Sequence, residues 1–293
     1  MGSPHNVRQM TATGLSPSAL LRVQELAATR LGMENRPGKE VLLHVRTGRH
    51  MRELGVTDPN EYMHLLETDP TGERMRELMD LLTTNHTAFW REPGHFEWLK
   101  EQLAGGWKWT GQETIWCAAS SSGEEPYTLA MVAREALGPA APEKIRILAT
   151  DVSTRMLDTA RAGVYTRERI QPLPEAWRQQ YFEGGRNGVN GPCRVKAEIR
   201  QMVHFRWLNL VEPFPAVGPF PYIFCRNVMI YFSQETRMQI VQRLLQRLTP
   251  DGYLLVGYAE GLSGLEADAD YVRPAVYRRK QKTGIAVKQG GDR

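Results

Sequence analysis

An apolar run, Thr114 to Ala119, ends in Ser120-Ser121-Ser122-Gly123 and leads into a helical stretch that opens with Glu124 and Glu125. A strand that turns into a helix through small residues leaves backbone N–H groups free at the helix start, where a ligand can bind. Dinucleotide sites place a GxGxxG loop there to grip a pyrophosphate. Of those glycines this loop keeps only Gly123. Carboxylates beside the loop repel a pyrophosphate and suit a cation. S-adenosylmethionine, with an ammonium and a sulfonium and no phosphate, has that chemistry. On the pattern alone, Glu124 and Glu125 serve equally well as complements to the helix dipole.

A second apolar run, Ile145 to Thr150, ends at Asp151. An acid at that strand end can accept hydrogen bonds from ribose hydroxyls. It can also cap the helix that follows, as can Ser153. Upstream, Asn85-His-Thr-Ala-Phe-Trp-Arg91 sets two aromatics among polar side chains. Asn85, Thr87 and Arg91 are candidates for the polar edge of a ligand. Phe89 and Trp90 read as ligand contacts or as core, and Arg91 also as a helix cap. Downstream, Arg226 and Asn227 directly follow the apolar Tyr222–Cys225, so they reach the same strand-end cleft. Tyr231 and Phe232 are its walls, or core. A hydrolase elbow at Ser121 is the competing chemistry. It lacks the first glycine of GxSxG, and His204 is the only histidine beyond residue 95.

The elements that must position these residues fall into unlike parts. The first 80 or so residues carry apolar side chains at helical spacing, among them Leu20, Leu21, Val23 and Leu26, then Tyr62, Met63, Leu65 and Leu66. Asp58-Pro59 with Glu61 predicts a helix start: a cap, a proline at the first position and an acid in the first turn. No strand pattern occurs here. From residue 113 onward, strands alternate with helices: strand 114–119, helix 124–137, strand 145–150, helix 153–162, strand 222–225, helix 234–248, strand 252–257. That alternation predicts a parallel sheet with ligands at its carboxyl edge. Residues 166–203, rich in glycine, break the pattern. Cys193–Val195 and Glu198–Val203 alternate as a small antiparallel hairpin would, and a long crossover loop fits equally well.

Composition narrows the class. The chain has 293 residues, 41% hydrophobic and 24% charged, which are globular proportions. Its net charge of +4 is too mild to argue for nucleic acid. Its three cysteines, without a CxxC, argue against a zinc site or a disulfide framework and fit a reducing compartment. No apolar run approaches the roughly 20 residues of a membrane span. A cytoplasmic protein is expected.

Taken together the clusters resemble the chemotaxis-receptor glutamate methyltransferases, the CheR family. The resemblance rests on LTTNHTAFWR at Leu82–Arg91, SGEEPY at Ser122–Tyr127, Ala149-Thr-Asp151, Asn209-Leu210, FCRNVMIYF at Phe224–Phe232 and GYAE at Gly257–Glu260. Order and spacing match over roughly residues 15–278. The first loop is Ala-Ser-Ser-Ser rather than glycine-rich or Cys-Ser-Thr. Phe89-Trp90 stands for two phenylalanines, and Gly-Tyr-Ala-Glu for Gly-His-Ser-Glu.

The resemblance implies an α/β fold: a small all-helical N-terminal domain and a Rossmann-like class I S-adenosylmethionine-dependent methyltransferase domain with an inserted antiparallel β-subdomain. The expected division is a disordered 1–15, a receptor-docking helical domain 16–84, a linker and cofactor-contacting segment 85–112, a methyltransferase domain 113–278 with the insertion at about 166–203, and a basic tail 279–293. It implies S-adenosyl-L-methionine as cofactor, contacted by Asn85, Thr87, Arg91, Glu124, Asp151, Asn209, Leu210, Arg226 and Asn227. Glu124 would hold the ammonium, Asp151 the ribose and Asn209-Leu210 the adenine. Arg91 and Tyr231 would stand at the methyl-transfer centre. The implied activity is protein-glutamate O-methylation on the cytoplasmic helical region of methyl-accepting chemoreceptors, with S-adenosyl-L-homocysteine as product. Neither nucleic acid nor membrane insertion is implied. Residues 36–52 carry Arg36, Lys39, Arg46, Arg49 and Arg52 against Glu40. Arg46, Arg49 and Arg52 recur every three residues and are expected to share a helix face that docks the receptor, or else a solvated face. A receptor C-terminal tail is a further possible partner, at the β-subdomain.

Overall fold

The computed structural model describes residues 17–32, 40–105, 111–184, 191–262 and 268–280. The expected disordered start and most of the basic tail lie outside these residues, as do Arg36 and Lys39.

The chain begins with four helices: α1 (Pro17–Leu31), α2 (Glu40–Glu53), α3 (Pro59–Thr68) and α4 (Glu73–Leu82). The start of α3 is as expected: Asp58 accepts the Asn60 N–H at 3.1 Å, with Pro59 in the first turn. Val23, Leu31, Tyr62, Met63, Leu66, Leu78 and Leu82 form their own apolar core. No strand occurs among the described residues of this part.

Helix α5 (Gly94–Ala104) follows, where a linker was expected. Pro93 offers it no side-chain cap. Packing holds it instead: Phe96, Trp98, Leu99 and Leu103 are buried, each worth about 1.5–3 kcal/mol.

The remaining elements are β1 (Glu113–Cys117), α6 (Glu124–Leu137), α7 (Ala141–Lys144), β2 (Ile145–Asp151), α8 (Thr154–Ala162), β3 (Val164–Tyr165), α9 (Arg167–Ile170), α10 (Glu175–Tyr181), β4 (Phe182–Gly184), β5 (Cys193–Val195), α11 (Ala197–Arg200), β6 (Val203–Trp207), β7 (Phe220–Phe224), α12 (Gln234–Gln246), β8 (Leu248–Leu255), β9 (Ala269–Arg273) and β10 (Val276–Arg279). Seven strands form one sheet in the order β6-β2-β1-β7-β8-β10-β9. From β6 to β8 the pairs are parallel, as the alternation predicts. Strands β10 and β9 add an antiparallel edge that the pattern did not reveal. Arg279 closes β10 instead of opening a tail.

The insertion is a three-stranded antiparallel sheet, β3-β5-β4. It takes in Val164 and Tyr165, just before the expected start. Glu198–Val203 is not a hairpin arm. Ile199 and Met202, both buried, sit one helical turn apart, and Val203 opens β6 of the main sheet. Among the described residues no helix is long and apolar enough to cross a membrane.

Candidate active site

Strand β1 has β2 on one side and β7 on the other, so the strand order reverses there and a crevice opens at the carboxyl ends. A cleft occupies it, lined by the loops after β1, β2, β6 and β7 and by the segment leading out of α4. Asn85, Thr87, Arg91, Asp151, Asn209, Leu210, Arg226, Asn227 and Tyr231 all line this cleft; Glu124 does not.

The loop after β1 is bent by Ser121 at φ 46° and Gly123 at φ 97°. A Cβ on Gly123 would lie 2.8 Å from Ala160 Cβ and from Tyr165 Oη, so only glycine fits. The bend turns the Ser121 N–H to Asp151 Oδ2 at 2.7 Å, while the Ser153 N–H donates to Oδ1 at 2.9 Å. Ser153, not Asp151, caps α8 through the Met156 N–H. Asp151 is thereby oriented and left to line the cleft. Burial pushes its carboxyl up to about 6, against the pull of those backbone N–H groups.

The two acids of the next turn part company, because successive helical residues point about 100° apart. Glu125 lines the cleft. Glu124 is buried beneath the loop, accepts the Ser122 hydroxyl at 2.7 Å and pairs with Arg169 of the β-subdomain. Burial raises its carboxyl above the ordinary range. The acid that the structure sets beside the cleft is therefore the one that was not singled out.

Glu125 belongs to a buried charge cluster. Arg226 donates to Glu125 at 2.7 Å, to Glu92 at 2.8 Å and to the Arg91 carbonyl at 2.6 Å. The Cys117 thiol donates to the other Glu125 oxygen at 3.3 Å. Glu92 also accepts Asn227 Nδ2 at 3.1 Å. Trp90, Glu92 and Asn227 all have φ between 56° and 58°. Such backbone persists only where its surroundings impose it; here the charge cluster joins Glu92 and Asn227, and aromatic packing holds Trp90. Glu260 completes the frame by accepting the N–H groups of Asn227 (2.6 Å), Gly257 (2.7 Å) and Ile230 (3.2 Å). A Cβ on Gly257 would stand 2.5 Å from Asn227 Nδ2, which accounts for that glycine.

This frame holds the two candidate transfer residues. Arg91 is half-buried and donates to the His86 carbonyl at 3.1 Å. Tyr231 ends a 3-10 turn, Met229–Tyr231, that Glu260 braces through Ile230. Burial raises the Tyr231 phenol, and the nearby charge of Arg91 opposes the rise. Phe89 is core, edge-on to Tyr165 and Phe182. Trp90 stacks on Phe96 and meets Trp177 of the β-subdomain edge-on at 4.9 Å.

Asn209 spends its side chain on structure: Nδ2 donates to the Arg30 carbonyl at 2.7 Å and to Glu212 at 3.1 Å. It thereby ties the end of α1 to the cleft. Leu31, Leu208, Leu210, Val228 and Phe232 supply an apolar wall. An apolar slot for a purine, an oriented carboxylate for ribose and one acid, Glu125, for an ammonium fit S-adenosylmethionine.

The hydrolase alternative loses the histidine that follows its nucleophile in the chain. Ser121 Oγ donates to the Asn85 carbonyl at 3.2 Å, and His204 is exposed on β6 and does not line the cleft.

The three arginines of α2 are not equally exposed. A three-residue step falls about 60° short of a full helical turn. Arg49 and Arg52 are exposed, whereas Arg46 is half-buried against the end of α4.

Residues 85–277 match the family "CheR methyltransferase, SAM binding domain", and residues 18–83 match "CheR methyltransferase, all-alpha domain". The chain is 38% identical to the chemotaxis protein methyltransferase of Escherichia coli (strain K12), over 88% of this chain and 90% of that one. It is 36% identical to that of Salmonella typhimurium, over 92% and 93%. It is 36% identical to chemotaxis protein methyltransferase 2 of Pseudomonas aeruginosa, over 82% and 85%. With both parts of the chain matched and a cleft suited to the cofactor, this protein belongs to the CheR family of S-adenosylmethionine-dependent methyltransferases.

Proposed function

We propose that the protein methylates glutamate side chains in the cytoplasmic helical region of methyl-accepting chemoreceptors, forming methyl esters and releasing S-adenosyl-L-homocysteine. The observation that carries this reading is that Arg91 and Tyr231 both line the cofactor cleft, near enough for the charge of Arg91 to act on the phenol. When bound, S-adenosylmethionine supplies an activated methyl group. A glutamate carboxylate, with an ordinary pKa of about 4.3, attacks without a general base. What remains for the protein is alignment and exclusion of water. Arg91 steers the incoming carboxylate and Tyr231 positions it. Asp151 holds the ribose, the Asn209-Leu210 backbone and apolar wall hold the adenine, and Asn85 and Thr87 cover the cofactor. The acidic loop beside α6 receives the ammonium. Glu125 lines the cleft there, and Glu124 reaches it only by releasing Arg169.

Arg49 and Arg52 give α2 an exposed basic face for a glutamate-rich receptor helix. A receptor C-terminal tail would use the β-subdomain, where Arg167, Arg178 and Lys196 line a groove beside Phe182 and Gly184. A substrate in the receptors' cytoplasmic region places the protein in the cytoplasm.

Mass spectrometry of a receptor cytoplasmic fragment incubated with protein and cofactor tests this. Methyl groups should map to glutamates and vanish when those are changed to alanine. Cofactor binding with no transfer to receptor fragments would instead favour a sensing role or another substrate.

A further inference from the structure

The basic helix α2 sends one of its arginines inward. Arg46 Nη1 donates to the carbonyls of Leu82 at 3.0 Å and Thr83 at 3.3 Å. These stand at the C-terminal end of α4, where carbonyls lack helical partners and a cation is favoured. Beyond that end the chain runs from Thr84 to Ala88 without helix or strand, and Thr83, Thr84, Asn85 and Thr87 line the cofactor cleft. Side-chain bonds hold this segment from both sides. Asn85 Nδ2 donates to Thr83 Oγ1 at 3.1 Å, and Ser121 Oγ donates to the Asn85 carbonyl at 3.2 Å. The Ser121 N–H in turn donates to Asp151 at 2.7 Å. A continuous series of hydrogen bonds thus joins the docking helix to the carboxylate assigned to the ribose.

We propose that Arg46 is a positioning residue for the cofactor rather than a receptor contact: it fixes the segment Thr83–Thr87 over the cleft, while Arg49 and Arg52 face outward. The inference rests on the cofactor reading of the cleft. It also makes α2 a coupling element. A receptor helix that shifts α2 moves the cover of the cofactor, and by linkage bound cofactor alters receptor affinity by the same factor.

Titration calorimetry of the full chain with S-adenosyl-L-homocysteine, with no receptor present, separates the two roles. A docking residue has no effect in that experiment. Arg46→Gln should weaken binding about tenfold, the loss of charge-assisted bonds to two carbonyls, and Arg49→Gln should leave it unchanged. Arg46→Lys, which keeps a cation but carries it on a stem of different length and shape, should fall between. It gives the same reading if Arg46→Gln does not fold. Combining Arg46→Gln with Ser121→Ala should cost less than the two changes added, since both loosen one segment. Wild-type affinity in Arg46→Gln or Arg46→Lys, or an equal loss in Arg49→Gln, would overturn the inference while leaving the cofactor reading intact. A wild-type protein that does not bind the product would overturn that reading and the inference with it.

Discussion

Arg226 and Glu92 meet at 2.8 Å, with the arginine side chain wholly shut off from solvent. Glu125 closes the other side of the same guanidinium at 2.7 Å. Removing the cation leaves two carboxylates facing each other in a protein interior. Breaking a buried pair in this way costs about 3–5 kcal/mol. Arg226→Ala should therefore lower the denaturation midpoint sharply in a chemical melt. Glu92→Gln, which preserves shape and leaves Glu125 paired, should cost clearly less. Equal losses in the two variants would mean that the pair with Glu92 carries the whole effect and that Glu125 adds nothing.

Burial disfavours the charged form of Asp151 and pushes its carboxyl from the ordinary 3.8 up to about 6. Ribose hydroxyls donate best to the ionised carboxylate. Affinity for S-adenosyl-L-homocysteine should fall by about tenfold between pH 7 and pH 5, as Asp151 takes up its proton. Asp151→Asn should bind weakly with a flat pH profile. On stability the same shift has the opposite sense. Between these two values the folded chain holds more protons than the unfolded one, so this group's contribution declines as pH rises through the window.

Gly123→Ala adds a methyl group 2.8 Å from Ala160 Cβ and Tyr165 Oη, at a φ of 97°. Backbone strain and overpacking each cost about 1–3 kcal/mol. The substitution should lower the melting temperature and, by moving Ser121 off Asp151, weaken cofactor binding. Normal binding at lower stability would place the loop's strain outside the site.

Much of this architecture was legible. Asp58 and Pro59 begin α3 as their chemistry requires, and the strand ends at Cys117, Asp151 and Phe224 bring the motif residues to one edge. What stayed hidden depends on contacts between distant segments. Helix α5 starts without a side-chain cap and is held by buried aromatics. Strand β6 joins the main sheet only through its register with β2. Which of Glu124 and Glu125 faces the cleft is decided by the left-handed turn at Gly123 and by Arg169, which comes from the insertion. Glu92 lay beside a quoted motif, and its one signal was an acid next to Arg91. Its partner Arg226 is far along the chain.

Arg49 is exposed and, among the described residues, pairs with Glu53 on its own helix at 2.7 Å. Arg49→Glu should raise the KM for a receptor fragment about tenfold, most strongly at low salt, where surface charges act over longer range. Cofactor affinity should not change. A KM equal to wild type at low salt would remove α2 from the docking surface.

Methyl-labelled S-adenosylmethionine, purified protein and a receptor cytoplasmic fragment give the most direct measurement. Label that is released as methanol by mild base marks an ester. Wild-type protein should transfer base-labile label, and Arg91→Ala should lower kcat about 100-fold, the cost of misaligned reactants, while still binding the homocysteine product. Base-stable label, or an Arg91→Ala protein with full turnover, would contradict the account of a carboxylate aligned by Arg91 in this cleft.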